Sequence, residues 1–154
     1  MAVSVRNRQR RVRVSLPRLR SLATRVLRAL GRADREVHVT VVDDREIRRL
    51  NRQYLGSTKV TDVLAFDLET PGPSRLLGEV VISAETARRQ AGSVDVPVAL
   101  EIDLLLVHGL LHLAGYDDHE PGEARLMHER ERDILRAARR TVPAGLWHGL
   151  LGRP

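Results

Sequence analysis

The chain has 154 residues, enough for one domain with a buried core and short of what two would need. Hydrophobic residues make up 42% of it, which excludes a disordered chain, and aromatics at 3% leave the core to Leu, Val, Ile and Ala. Cysteine is absent, which excludes a disulfide scaffold and a thiolate metal site; the net charge is +6, and of 26 Lys and Arg only Lys59 is lysine.

Along the chain, residues 3 to 14 alternate loosely between valine and polar residues, predicting a strand or hairpin. Ser15 is an N-cap, Pro17 fits a first turn, and Leu16, Leu19, Leu22, Ala23, Val26, Leu27 and Leu30 repeat at helical spacing up to Gly31. Val37, Val39 and Val41 alternate strictly, a half-buried strand over Glu36 to Val42. Asp43 or Asp44 caps a second helix with Ile47, Leu50 and Asn51 on one face, ended by the turn at Gly56. Thr61 to Phe66 is a short strand, Thr70 to Ser74 a loop, and Gly78 to Ser83 a strand whose last residue caps a helix from Ala84 to Ala91. Pro97 opens a long apolar helix, and a last helix runs from about Pro121 to Arg140 with Ala124, Met127, Ile134 and Leu135 as its core side. Beyond Pro143 a tail, residues 143–154, either frays or docks. This order predicts a single domain over 1–154 of mixed α/β (α+β) class, a small four- to five-stranded sheet with surrounding helices.

The arginine excess suits polyanions, because guanidinium forks match phosphate, and RNA or a ribosome is the natural partner. GC-rich coding produces the same bias. No apolar run approaches the roughly 18–20 residues that cross a bilayer. The basic N-terminal stretch lacks the apolar core of a secretory signal, which favours a cytoplasmic address and no membrane contact.

Three of the six histidines fall between positions 108 and 119. His108 and His112 stand four apart on the apolar helix, so both imidazoles share one face and can converge on one ion. Their neighbours are Leu104, Leu105, Leu106, Val107, Leu110, Leu111 and Leu113. Two imidazoles among such residues need partners, since an unpaired buried polar group costs roughly 2–7 kcal/mol, and a metal satisfies both. Gly115 breaks the helix, and beyond the turn stand Asp117, Asp118 and His119. The pattern approaches the zincin motif H-E-x-x-H-x-x-G-x-x-H, but Gly109 replaces the glutamate that would activate water for peptide cleavage. His38 and His128 read as structural or solvated, and His148 has no assigned role.

The string His108-Gly109-Leu110-Leu111-His112-Leu113-Ala114-Gly115-Tyr116-Asp117-Asp118-His119 resembles the H-G-x-L-H-L-x-G-Y-D-H signature of the YbeY family. Leu50-Asn51-Arg52-Gln53-Tyr54 with Thr61-Asp62-Val63-Leu64-Ala65-Phe66 resembles that family's L-N-x-x-[FY]-R…T-[DN]-V-L-S-F, and Leu77 to Ser83 its L-G-[DE]-I-x-I-S strand. The resemblance spans roughly residues 35 to 135. It implies zinc, one per chain, held by three histidines on a central helix, with a metal-activated water attacking single-stranded RNA in a basic cleft. It further implies endoribonuclease action in 16S rRNA processing and ribosome quality control, with the 30S subunit or ribosomal proteins as partners; a monomer is favoured.

Two positions depart from the pattern. The family's third ligand falls six residues after the second histidine, which is Asp118 here, with His119 one later. Either the turn absorbs a residue and His119 binds, or Asp118 binds; His119 is favoured because it preserves the charge of the site. At Leu55 the family carries an arginine, for which Arg52 or Lys59 are candidate substitutes. The alternatives to a zinc endoribonuclease are a non-catalytic maturation factor with a structural zinc, and a metallohydrolase of another class.

Overall fold

The computed structural model describes residues 2–57, 61–68, 74–139 and 142–151, the last four in backbone alone. Four strands form one mixed sheet in the order β1-β2-β4-β3: β1 (Val3–Asn7), β2 (Glu36–Val42) and β4 (Leu76–Ser83) run parallel, and β3 (Val63–Asp67) pairs antiparallel to β4 at one edge. The sheet thus has four strands among the described residues, within the expected mixed α/β class. The hairpin alternative for residues 3 to 14 does not form, because β1 pairs parallel with β2. The chain after β1 instead folds around the Gln9 side chain, which accepts from the amides of Arg11 and Val12 at 2.9 Å each.

Helices cover both faces, as the strand sequences require. Val37, Val39 and Val41 of β2 all reach 0% exposure on one face, while His38 between them is exposed. In β4 the run Val80-Val81-Ile82 is continuous because the strand is covered from both sides. Val80 and Ile82 enter the main core, and Val81 joins a smaller cluster with Val42, Ile47 and Leu64. That smaller cluster lies under α2 (Asp44–Leu55), whose N-cap Asp43 accepts from the Glu46 amide at 2.9 Å and whose C-cap Gly56 takes φ 69°.

The main core belongs to α1 (Leu16–Ala29), α3 (Ala84–Ser93), α4 (Val98–Leu113) and α5 (Pro121–Ala138). Helix α4 is apolar around most of its circumference because α1, α3, α5 and the sheet all pack on it. Its approach to the sheet depends on two glycines. A Cβ at Gly109 would stand 2.6 Å from Val80 Cγ1, and one at Gly78 would stand 2.3 Å from the Phe66 carbonyl oxygen and 2.7 Å from Leu113 Cδ2. The segment after Pro143 docks as α6 (Ala144–Leu151), with Leu146 and Trp147 buried and the Arg132 guanidinium 5.4 Å from the Trp147 ring centroid. No helix among the described residues is long and apolar enough to cross a membrane.

Candidate metal centre

His108 and His112 lie on the last two turns of α4, beside the residues that face the sheet. Helical spacing sets the two rings edge-on at a centroid distance of 4.7 Å and brings their Nε2 atoms to 3.2 Å. What points both Nε2 atoms inward is the bonding of the opposite ring nitrogens. His108 Nδ1 donates to the carboxylate of Glu131 on α5. His112 Nδ1 donates to the Tyr116 carbonyl oxygen at 3.1 Å. That carbonyl is within reach because α4 ends in a Schellman turn: Tyr116 N bonds Leu111 O at 3.0 Å, Gly115 N bonds His112 O at 3.1 Å, and Gly115 sits at φ 101°. Only glycine takes that conformation without strain.

A carbonyl and an ionised carboxylate can only accept, so each Nδ1 carries the proton and each neutral ring presents a lone pair at Nε2. Two lone pairs facing each other at 3.2 Å repel unless a cation or a proton stands between them. The same turn carries Asp118 back to the pair, its Oδ2 lying 3.6 Å from His108 Nε2 and its Oδ1 3.7 Å from His112 Nε2. His108, His112 and Asp118 thereby form a group able to hold a metal ion, with their ligand atoms mutually within 4.8 Å. Tetrahedral zinc with bonds of about 2.0 Å sets its ligand atoms about 3.3 Å apart, so the donor set fits such an ion.

The electrostatics agree. Burial pulls the His108 ring's pKa down, but the bond to Glu131 and the charges of Glu131, Asp118 and Asp62 outweigh it and leave it above the ordinary histidine value. His112 moves the other way, held down by burial and then by the charge of His108. Protonation of His108 therefore disfavours protonation of His112.

His119, favoured from sequence as the third donor, has an 82% exposed side chain whose Nδ1 bonds the Asp117 carboxylate. With Asp117 and Asp118 it forms a second, more exposed group that shares Asp118 with the first. Of the two candidate arginine substitutes, Lys59 lies outside the described residues. Arg52 is exposed on α2 and lines a concavity of 390 Å³ with Arg8, Arg45, Arg48, Arg49, Asp43 and Glu46. Arg49 pairs with Glu46 at 2.6 Å. Leu55 is 61% exposed near the end of the same helix, beside Tyr54 at 60%, whose ring meets Phe66 edge-on at 5.4 Å.

Gly109 has a packing reason. It faces Val80, so a side chain at that position would be aimed into the sheet and not at the histidine pair. Sequence reasoning missed Glu131. Its signal was a carboxylate at a core position of the stripe Met127, Glu131, Ile134 and Leu135, which makes it as buried as its apolar neighbours.

The chain matches the family model described as Endoribonuclease YbeY over residues 4–139. It belongs to that family. A relative from Anaeromyxobacter sp. (strain Fw109-5), named Endoribonuclease YbeY, is 47% identical over 138 residues, spanning 89% of this chain and 72% of the relative. One of the same name from Geobacter metallireducens is 42% identical over 142 residues, spanning 88% and 94%. The fold is that of the solution structure of TM1509 from Thermotoga maritima, with a TM-score of 0.62 over 99% of this chain and 93% of that one at 23% identity. The histidine pair, the Gly115 turn and Asp118 all fall within the residues matched to the YbeY model.

Proposed function

We propose that this chain is a zinc-dependent endoribonuclease that cuts single-stranded RNA, acting in the cytoplasm on 16S rRNA precursors of the 30S subunit. As a member of the YbeY family it is a hydrolase of RNA. The observation that carries the metal reading is the pair of Nε2 lone pairs held 3.2 Å apart by acceptors on both opposite nitrogens, with a carboxylate closing the third side.

His108, His112 and Asp118 would hold the ion. When bound, it supplies Lewis acidity toward a phosphate oxygen and toward water. The rest is the work of the chain itself. Glu131 and the Tyr116 carbonyl fix ring orientation and tautomer. Asp118 and Glu131 together supply two negative charges, which match a divalent cation. RNA is held through its phosphates by the arginine face of α2, where Arg45, Arg48 and Arg52 follow each other at helical spacing. Among the described residues none of these three has an ion-pair partner at a carboxylate. Phosphate contacts of this kind bind without sequence preference and weaken steeply with salt.

Cleavage of a single-stranded oligoribonucleotide by zinc-loaded protein, chelator-stripped protein and His112→Ala tests the reading. The loaded wild type should cut and the other two should not. Equal cleavage by the stripped protein would overturn it, and RNA binding without cleavage by any form would favour a non-catalytic maturation factor.

A further inference from the structure

We infer that Glu131 is a positioning residue for the metal pair, setting which nitrogen of His108 is offered to the ion and supplying a remote share of the charge that balances it. This rests on the metal reading proposed above and extends it to a residue outside the signature.

The two histidines are held unequally. His112 leans on a backbone carbonyl, a neutral acceptor supplied by its own helix end. His108 leans on a carboxylate that arrives from another helix, 23 residues further along. Glu131 itself is 0% exposed, in a stripe where Met127 and Leu135 are equally buried. An ionised carboxylate in such a place is costly unless it is paired and its lone pairs are bonded. Glu131 meets that condition on both sides. Oε1 accepts from His108 Nδ1, and Oε2 lies 3.4 Å from His128 Nδ1, one turn earlier on α5.

A group serving only to join α4 to α5 could be apolar, like the residues beside it. Glu131 instead does something an apolar residue cannot. It keeps the His108 proton on Nδ1 and so leaves Nε2 as the free donor, and it stops the ring from turning over. His128, bonded to the other oxygen, restrains the rotation of the carboxylate. Asp118 then contributes one negative charge beside the pair, and Glu131 contributes a second through the imidazole.

The test compares zinc affinity of wild type and Glu131→Gln by competition with a chromophoric chelator, alongside their melting temperatures without metal. Gln keeps the shape and loses the charge. The expected result is affinity weakened about 10- to 100-fold, with the metal-free melting temperatures reporting separately that the variant is folded. Zinc affinity within twofold of wild type in a folded variant would overturn the inference while leaving the metal reading intact. A wild type that binds no zinc would overturn the metal reading itself. Should Glu131→Gln not fold, ¹⁵N spectra of the imidazoles of the wild-type protein, at a pH where His108 is neutral, decide the matter. A proton on Nδ1 of His108 supports the role, and a proton on Nε2 overturns it.

Discussion

Replacing Asp118 should remove zinc-linked stability, and replacing His119 should not. The structure sets the two apart sharply. Asp118 presents one oxygen to each Nε2 at 3.6 and 3.7 Å, whereas the His119 side chain is 82% exposed and bonded to Asp117. Partners that merely orient metal ligands are worth about 10- to 100-fold in affinity, so losing a carboxylate that faces both imidazoles should cost about 100-fold or more. At a free zinc concentration of about 100 times the wild-type dissociation constant, linkage stabilises the fold by about 2.7 kcal/mol. For a chain of this length that raises the melting temperature by about 5–10 °C. In Asp118→Ala the same zinc concentration only equals the weakened constant, linkage falls to about 0.4 kcal/mol, and the rise shrinks to about 1 °C. His119→Ala should keep the full rise. Thermal melts with and without zinc measure all three proteins. If His119→Ala lost the rise and Asp118→Ala kept it, the turn would be absorbing a residue on loading and the assignment of Asp118 would be wrong.

Gly109→Ala sets a gain of about 1 kcal/mol in helix propensity against overpacking of about 1–3 kcal/mol from a Cβ 2.6 Å from Val80 Cγ1. Urea denaturation should show a net loss of about 0–2 kcal/mol, and a clear gain in stability would contradict the close approach of α4 to β4. Leu55→Arg, at a 61% exposed position, should leave stability within about 0.5 kcal/mol and tighten RNA binding. Its plot of log affinity against log salt should steepen by about 0.7 if the new side chain meets a phosphate; an unchanged slope would place Leu55 off the RNA path. Asp103, buried on α4 between Arg18 and Arg139, has its pKa raised from 3.8 to about 6 by burial, against the opposing pull of Arg18. The folded state therefore holds this proton more tightly than the unfolded chain does. That contribution to stability is complete below pH 3.8 and is lost as pH rises through about 6, by up to about 3 kcal/mol. The stability of wild type relative to Asp103→Asn, measured by denaturation from pH 4 to 7, should accordingly fall; a difference that is flat or rising would refute the burial argument.

Much that rests on local geometry was legible in the sequence. The caps at Ser15 and Ser83, the strand Glu36–Val42 and the placing of His108 and His112 on one helical face all follow from spacings of a few residues, while the choice of Asp43 over Asp44 as the cap of α2 belongs to the fold. The family signature is of the same kind, which is why residues so close in sequence identified it. Tertiary structure decided the rest of the site. Whether residue 118 or 119 returns to the histidines depends on the Schellman turn at Gly115, whose hydrogen bonds fix the direction of the chain within a few ångströms, finer than spacing resolves. Glu131 reaches His108 only because α5 packs along α4, so no local pattern joins the two. Gly109 looked like the loss of a catalytic side chain and proved to be where α4 meets Val80. Ring nitrogens are aimed by their acceptors, and in this protein one acceptor comes from the helix's own end and the other from a helix that only folding brings near.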